Sequence, residues 1–227
     1  MLFSLQAVKD NLRNRDGKRV FYLGKGDQLT SEAKDFLAGE RIEILPAEQA
    51  KPQRYRLLGG GFMESKPEHM THLYGDVLVS KTHPRIAFRG AIDTLEADLL
   101  LCQLAVPQFQ EELTEILQLA RQILGCEVLE EPLPENTLCG LTQQQLREHS
   151  HRPQTFYGQP HFMPQAKDGT AILQLNRVRC SVRNAERSAV AALPEREDLL
   201  RALNRMSSML YLLMIREKAR QSSFAEK

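Results

Sequence analysis

Between Leu173 and Leu193 the chain reads LQLNRVRCSVRNAERSAVAAL. At roughly 100° per residue this is an amphipathic helix, with Leu175, Val178, Val182, Ala185 and Ala189 on one stripe. Arg179, Arg183 and Glu186 then share the shoulder of that stripe. Two guanidiniums and a carboxylate bordering an apolar seam are partly desolvated, where charge-assisted hydrogen bonds become strong and geometry-specific. Two readings follow: a local site for a polyanion, or a surface helix with ordinary Arg–Glu pairs at i, i+3 and i+4.

Bulk charge gives the polyanion no general attraction. With 30 basic and 29 acidic residues in 227, the net charge is +1, so a nucleic-acid or anionic-membrane partner is not expected. Trp is absent and aromatics are 6%, against base-stacking modules. Cys102, Cys126, Cys139 and Cys180 are widely spaced, with no C-x-x-C pair, and read as reduced thiols of a cytoplasmic protein. No apolar run is long enough to span a bilayer, and the N-terminus turns highly charged too soon for a secretory leader.

Residues 1–66 read as a small α/β appendage with a linker. Lys18–Leu23 and Arg41–Leu45 have strand composition; Thr30–Leu37 reads as a helix capped by Thr30 or Ser31 and stopped at Gly39. Ala47–Gly61, with Pro52 and Gly59, Gly60 and Gly61, reads as loop. Neither glycine cluster has the G-x-x-x-x-G-K-[ST] spacing of a phosphate loop, so any nucleotide is bound without one.

From Arg85 the helical period dominates. Ile92, Leu95, Leu99, Cys102 and Val106 form a stripe with Asp93 and Glu96 beside it, ended by Pro107. A second helix runs from about Gln108 to Leu124 and stops at Gly125. Thr142 caps a short helix to about Glu148; His149–Gly169 is irregular, and a loop of that length is often functional. The last helix, Glu195–Arg220, buries Leu199, Leu203, Met206, Leu210 and Leu213, with Asn204, Ser207 and Tyr211 alongside. The expected fold is mostly α: an antiparallel five-helix bundle over residues 67–221 after the appendage, with a flexible tail at 222–227.

Polar groups beside three buried stripes are either a self-satisfying network or a ligand site between helices. Here the motifs are informative. SKTHPRIAFRGAIDTLE at 80–96 resembles the V-x-K-D-x-x-R-x-x-x-x-G-x-L-D-E-L segment of PduO-type ATP:cob(I)alamin adenosyltransferases. RCSVRNAER at 179–187 is similar to that family's R-T-V-x-R-R-A-E-R helix, and LNRMS at 203–207 to its L-N-R-L-S. A wider resemblance is to the ethanolamine-utilisation branch, through LTSEAKDFL, KPEHMTHL, HPRIAFRGAIDTLEA, GLTQQQLREHSHRP and ALNRMSSMLYLLMI.

The resemblance implies transfer of the 5′-deoxyadenosyl group of ATP to cob(I)alamin, giving adenosylcobalamin and triphosphate. Cob(I)alamin is the nucleophile, so the protein has to align the 5′ carbon with cobalt and stabilise the departing triphosphate. Carried over by motif, Arg183, Glu186 and Lys81 are the catalytic set. Lys66, Thr71, Lys81, Arg183, Asn184, Glu186, Arg187 and Asn204 bind ATP with Mg²⁺, and Phe162 packs beneath the corrin. Asp93 and Arg179 form a buried structural ion pair at the site. Asn184 stands where the family has a second Arg, one local positive charge fewer.

Two departures stand out. The family's glycine-rich T-K-T-G-D-x-G loop is replaced by GFMESKPEHMTHL, with Lys66 a substitute for its phosphate contact. The His and Cys cluster by which some ethanolamine-type members bind a metal has no counterpart between Arg54 and Glu68, so no protein-held metal is expected; His69, His72 and His83 fit hydrogen-bonded or surface roles. The family implies a homo-oligomer, trimer or dimer, with sites between subunits, and a reductase and a microcompartment as partners. The alternative is a non-catalytic cobalamin-binding or microcompartment scaffold relative.

Overall fold

The computed structural model describes residues 1–15, 17–49, 54–135 and 137–225, which form two compact units, residues 1–67 and from Glu68 onward.

The first unit holds more strand than its composition suggests. Its elements are β1 (Leu2–Phe3), α1 (Leu5–Asp10), β2 (Arg13–Arg15), β3 (Lys18–Leu23), β4 (Gln28–Leu29), α2 (Ser31–Gly39) and β5 (Glu43–Pro46). β2 pairs antiparallel with β3, and β5 returns parallel to β3 after the α2 crossover. The Thr30 hydroxyl caps α2 by accepting from the Ala33 amide, as expected. Gly39 is the last helical residue instead of the stop, and Arg41, at φ 52°, turns the chain into β5. Val8, Phe21, Leu29, Ala33, Leu37 and Ile42 make the small core. The stretch read as linker is partly structured: β6 (Tyr55–Leu57) and β7 (Phe62–Met63) form a hairpin whose turn contains Gly60 and Gly61 at positive φ. Pro52 lies outside the described residues.

The second unit opens with an antiparallel hairpin, β8 (Met70–Tyr74) and β9 (Val77–Ser80). Four long helices follow: α3 (Pro84–Ala105), α4 (Gln110–Leu129), and, after the short α5 (Gln143–His151) and α6 (Pro153–Tyr157), α7 (Gly169–Ala192) and α8 (Glu197–Ala225). α7 packs along both α3 and α8, α4 closes against α3 and α8, and α5 lies on α8. Every residue assigned to the stripes of α3, α7 and α8 is buried in one continuous core.

Three boundaries differ from the sequence reading. α4 runs through Gly125 to Leu129, because Cys126 and Glu127 beyond the glycine are buried and Glu127 is held by two arginines; these ties outweigh roughly 1 kcal/mol of glycine penalty. The irregular 149–169 segment contains α6, stopped by Gly158 at φ 67°, and a 3-10 turn at Ala166–Asp168. The supposed tail is helical to Ala225, its start secured by Glu217, which accepts from Arg220, Gln221 and Gln108. The Thr142 cap of α5 is a complete capping box with Gln145.

Candidate functional site

The seam between α7 and α8 carries the sequence-derived residues that come together. Val182, Ala185 and Ala189 on one helix and Leu203 and Met206 on the other are buried, which sets the register of their polar neighbours. In that register Asn204 Nδ2 donates to Glu186 Oε1 at 2.9 Å, half-buried. Arg183, three residues before Glu186 and on the same flank, is exposed; among the described residues it makes no hydrogen bond or ion pair. Arg187 is exposed as well and donates to Asn184 Oδ1 at 3.3 Å.

Further along the seam, the Arg179 guanidinium stands 5.7 Å from the Tyr211 ring centroid. The Tyr211 hydroxyl lies 3.0 Å from His161 Nδ1 and accepts from the Phe162 amide at 3.4 Å. The Phe162 ring packs against the core beside Tyr211, with Lys218 Nζ 5.9 Å from its centroid. The loop before α7 is thereby tied to α8, and Phe162 is half-buried.

The expected Asp93–Arg179 ion pair does not form. Asp93 is exposed, and among the described residues Arg179, besides Tyr211, reaches only Asn176, at 3.5 Å. The carboxylate that ties α3 to α7 is Asp98, 7% exposed, which accepts from Arg177 Nε at 3.0 Å and from the Ser181 hydroxyl. Asp98 lies five residues past Asp93, about 140° further round the helix, and only there does a carboxylate face α7. A groove of about 340 Å³ lies beside this pair, lined in part by Ala91, Thr94 and Asn184. Asn184 therefore faces α3, on the side of α7 opposite Glu186.

Lys81 lies on the exposed turn between β9 and α3, its amide donating to the His69 carbonyl at 2.9 Å. His83 caps α3 through Nδ1, accepting from the Arg85 amide, with Pro84 at the first helical position. Thr71 is not on a loop; it pairs with Val79 in the β8–β9 ladder. Lys66 is exposed and belongs to the first unit.

Sequence reasoning missed the most enclosed charge among the described residues of the second unit. Glu127 is fully buried and accepts from Arg85 Nε and from Arg89 Nε, the latter at 2.7 Å; Arg89 also donates to the Leu73 carbonyl, tying β8 to the bundle. Its signal was legible: Ile116, Ala120, Ile123 and Glu127 follow the apolar stripe, where a carboxylate demands a partner. The cysteines are free, and burial, aided by Asp98, pushes the Cys102 thiol up to about 11. Among the described residues no group of three or more His, Cys, Asp or Glu side chains is placed to hold a metal, and no helix is long and apolar enough to cross a membrane.

Residues 62–217 match the family model of cobalamin adenosyltransferases. Two relatives are both corrinoid adenosyltransferases EutT. That of Salmonella typhimurium is 33% identical over 157 residues, 66% of this chain and 59% of the relative; that of Escherichia coli is 32% identical over 163 residues, 69% and 61%. The matched region thus spans about three fifths of the relatives' length. Two solved structures share the fold. They are phenylalanine-to-alanine and phenylalanine-to-histidine variants of a PduO-type ATP:corrinoid adenosyltransferase from Lactobacillus reuteri, complexed with cobalamin and ATP. Each has a TM-score of 0.51 and 18% identity over 74% of this chain, covering 91% and 88% of those chains. The α7–α8 seam, its motif residues and the match over most of the second unit agree: this chain belongs to the cobalamin adenosyltransferase family.

Proposed function

We propose that this chain transfers the 5′-deoxyadenosyl group of ATP to cob(I)alamin, supplying adenosylcobalamin for ethanolamine utilisation. In that reaction the cobalt(I) electron pair forms the bond to C5′, the C5′–O bond breaks, and its electrons leave with triphosphate. The protein has to hold ATP in line and accept the growing negative charge. The observation that carries the reading is the Glu186–Asn204 pair with Arg183, free of any carboxylate among the described residues, on the same flank. An arginine left without a counter-charge beside an ordered amide–carboxylate pair suits an incoming phosphate. Arg187 and Lys81 would add to the field, and Asn204 and Glu186 would orient the nucleotide. Thr71, on its strand, and Lys66 are the remaining ATP contacts of this reading. Asn184 contributes only through Arg187.

Mg²⁺ would arrive with the phosphates and neutralise part of their charge. Glu186 fits it, since a carboxylate is a hard oxygen donor and only one of its oxygens is engaged by Asn204. Phe162, held half-buried by the Tyr211 contacts, would pack under the corrin ring. Association of chains is supported by Leu100, Leu101 and Leu104 on α3, which are 46%, 58% and 83% exposed; such a stripe is costly in water and suits a second copy. The reaction consumes cob(I)alamin, so a reductase that produces it is a required partner. The setting is the cytoplasm, in reach of an ethanolamine microcompartment.

The test is direct. Chemically reduced cobalamin mixed with the protein and MgATP should show the absorbance change to the adenosylated form. Binding of cobalamin with no such change would establish the scaffold alternative instead.

A further inference from the structure

The loop before α7 is fixed to α8 at two points, and its apex is left bare. At the first point the hydrogen bonds run in one direction. His161 Nε2 lies 3.3 Å from the His151 carbonyl, which can only accept, so the neutral imidazole carries its proton there and leaves Nδ1 as an acceptor. The Tyr211 hydroxyl, 3.0 Å away, therefore donates to Nδ1 and accepts from the Phe162 amide at 3.4 Å. The His161 and Tyr211 rings are stacked, their planes 14° apart, and the Arg179 guanidinium stands over the Tyr211 ring. At the second point, two turns further along α8, Lys218 donates to the Asp168 carboxylate at 2.6 Å and Gln221 to the Asp168 carbonyl at 3.1 Å. Asp168, 3% exposed, also accepts from the Gln165 amide at 2.7 Å.

A double anchor of this kind ordinarily serves to cover an apolar segment. Here Phe162 stays half-buried and Met163, next in the chain, is 83% exposed. Pro160 and Pro164 on either side restrict the backbone further. Ordering an apolar apex without burying it costs entropy and leaves hydrophobic surface in water; an apolar ligand that settles on it relieves the second cost and is spared the first. Tyr211 lies seven residues beyond Asn204 on α8, roughly 10 Å along the helix axis, so the apex adjoins the seam where the nucleotide is placed. We propose that Tyr211 and His161 are positioning residues for the corrin partner: acting through the Phe162 amide they fix the loop, so that Phe162 and Met163 meet the corrin ring already ordered. The inference rests on the adenosyltransferase reading and deepens it.

Corrinoid binding is read by calorimetry on the full chain, with cobalamin and with cobinamide, which has the same ring without the nucleotide tail; turnover is read with chemically reduced cobalamin and MgATP. Tyr211→Phe keeps the aromatic ring and removes only the hydroxyl. It and His161→Ala should each raise the Kd and KM for cobalamin about tenfold and leave the KM for ATP within a factor of two. His161→Asn, which can still accept from the hydroxyl, should recover most of that loss. Met163→Ser, at an exposed position, should weaken both corrinoids about fivefold at an unchanged melting temperature. A merely structural tie would instead lower the melting temperature and weaken ATP and cobalamin together, which overturns the inference. So do unchanged corrinoid affinities in Tyr211→Phe and Met163→Ser, and so does a loss confined to cobalamin, which would put the tail and not the ring at this loop. A wild type that binds corrinoid but adenosylates nothing refutes the adenosyltransferase reading, while the Kd comparison still decides the role of Tyr211 and His161; a wild type that binds no corrinoid overturns the inference. Should Tyr211→Phe fail to fold, His161→Ala and Met163→Ser carry the test.

Discussion

Along the α3 side of α7, Asp98 is closed in by Arg177 and Ser181, and further down the bundle Glu127 takes both Arg85 and Arg89. Along the α8 side, Glu186 is met by a neutral amide while Arg183 has no counter-charge among the described residues. Both sides set a carboxylate and an arginine beside a buried stripe, but Asp98 and Glu127 are buried whereas Glu186 is half-buried and Arg183 exposed. They differ in whether charge is balanced within the chain. A balanced buried cluster fixes how helices sit and has nothing left to offer a ligand; cations in excess at a half-buried seam pay a standing electrostatic cost that an anionic ligand removes.

The largest effect is expected at Glu127. Glu127→Ala leaves Arg89 without its carboxylate and Arg85 with the exposed Glu130, and should cost about 3–5 kcal/mol in urea unfolding. Less than about 1 kcal/mol would mean that the arginines simply swing to water and that the paired side is not structural. On the open side the opposite split is expected. Arg183→Ala should reduce adenosylation at least tenfold, on the order of 1.4 kcal/mol or more in transition-state stabilisation, with the melting temperature within about 2 °C of wild type.

Asp98→Asn sharpens the contrast at lower amplitude. Arg177 is mostly exposed and can turn to solvent, so the loss should be about 1–2 kcal/mol of stability with turnover per folded molecule unchanged. The smallest effect is a pH dependence. Hydrogen bonding from Arg196, opposed by burial and helped by the Leu133 amide, holds the Asp198 carboxyl well below the usual range. A folded pKa below the unfolded value near 3.9 makes this contribution complete above that value and lost as pH falls further towards the folded one. Asp198→Asn should therefore flatten the decline of stability below about pH 4 and leave its shape at neutral pH unchanged. An unaltered acid limb would show that Asp198 is not a linked group.

The helices were legible because burial repeats with their 3.6-residue period: every stripe residue of α7, from Leu175 to Ala189, is in the core. The Glu186–Asn204 seam was legible for the same reason, since both lie on the shoulders of correctly read stripes. What periodicity cannot supply is the axial register between helices. Asp93 and Asp98 are both plausible anchors on α3 alone, and only packing against α7 selects Asp98. Gly125 likewise reads as a stop until Glu127 finds Arg85 and Arg89, some forty residues earlier in the chain. The β8–β9 hairpin had a local signal in Gly75 and Asp76 between apolar runs, and was overlooked beside the stronger helical pattern.

Equilibrium binding of MgATP, followed by calorimetry on wild type, Asn204→Ala and Asp98→Asn, tests the distinction between the two sides of α7 most directly. Asn204→Ala should weaken MgATP binding about tenfold or more while Asp98→Asn leaves it within a factor of two. Equal weakening by both variants, or by neither, would contradict the assignment of the α7–α8 seam as the place where the nucleotide is held.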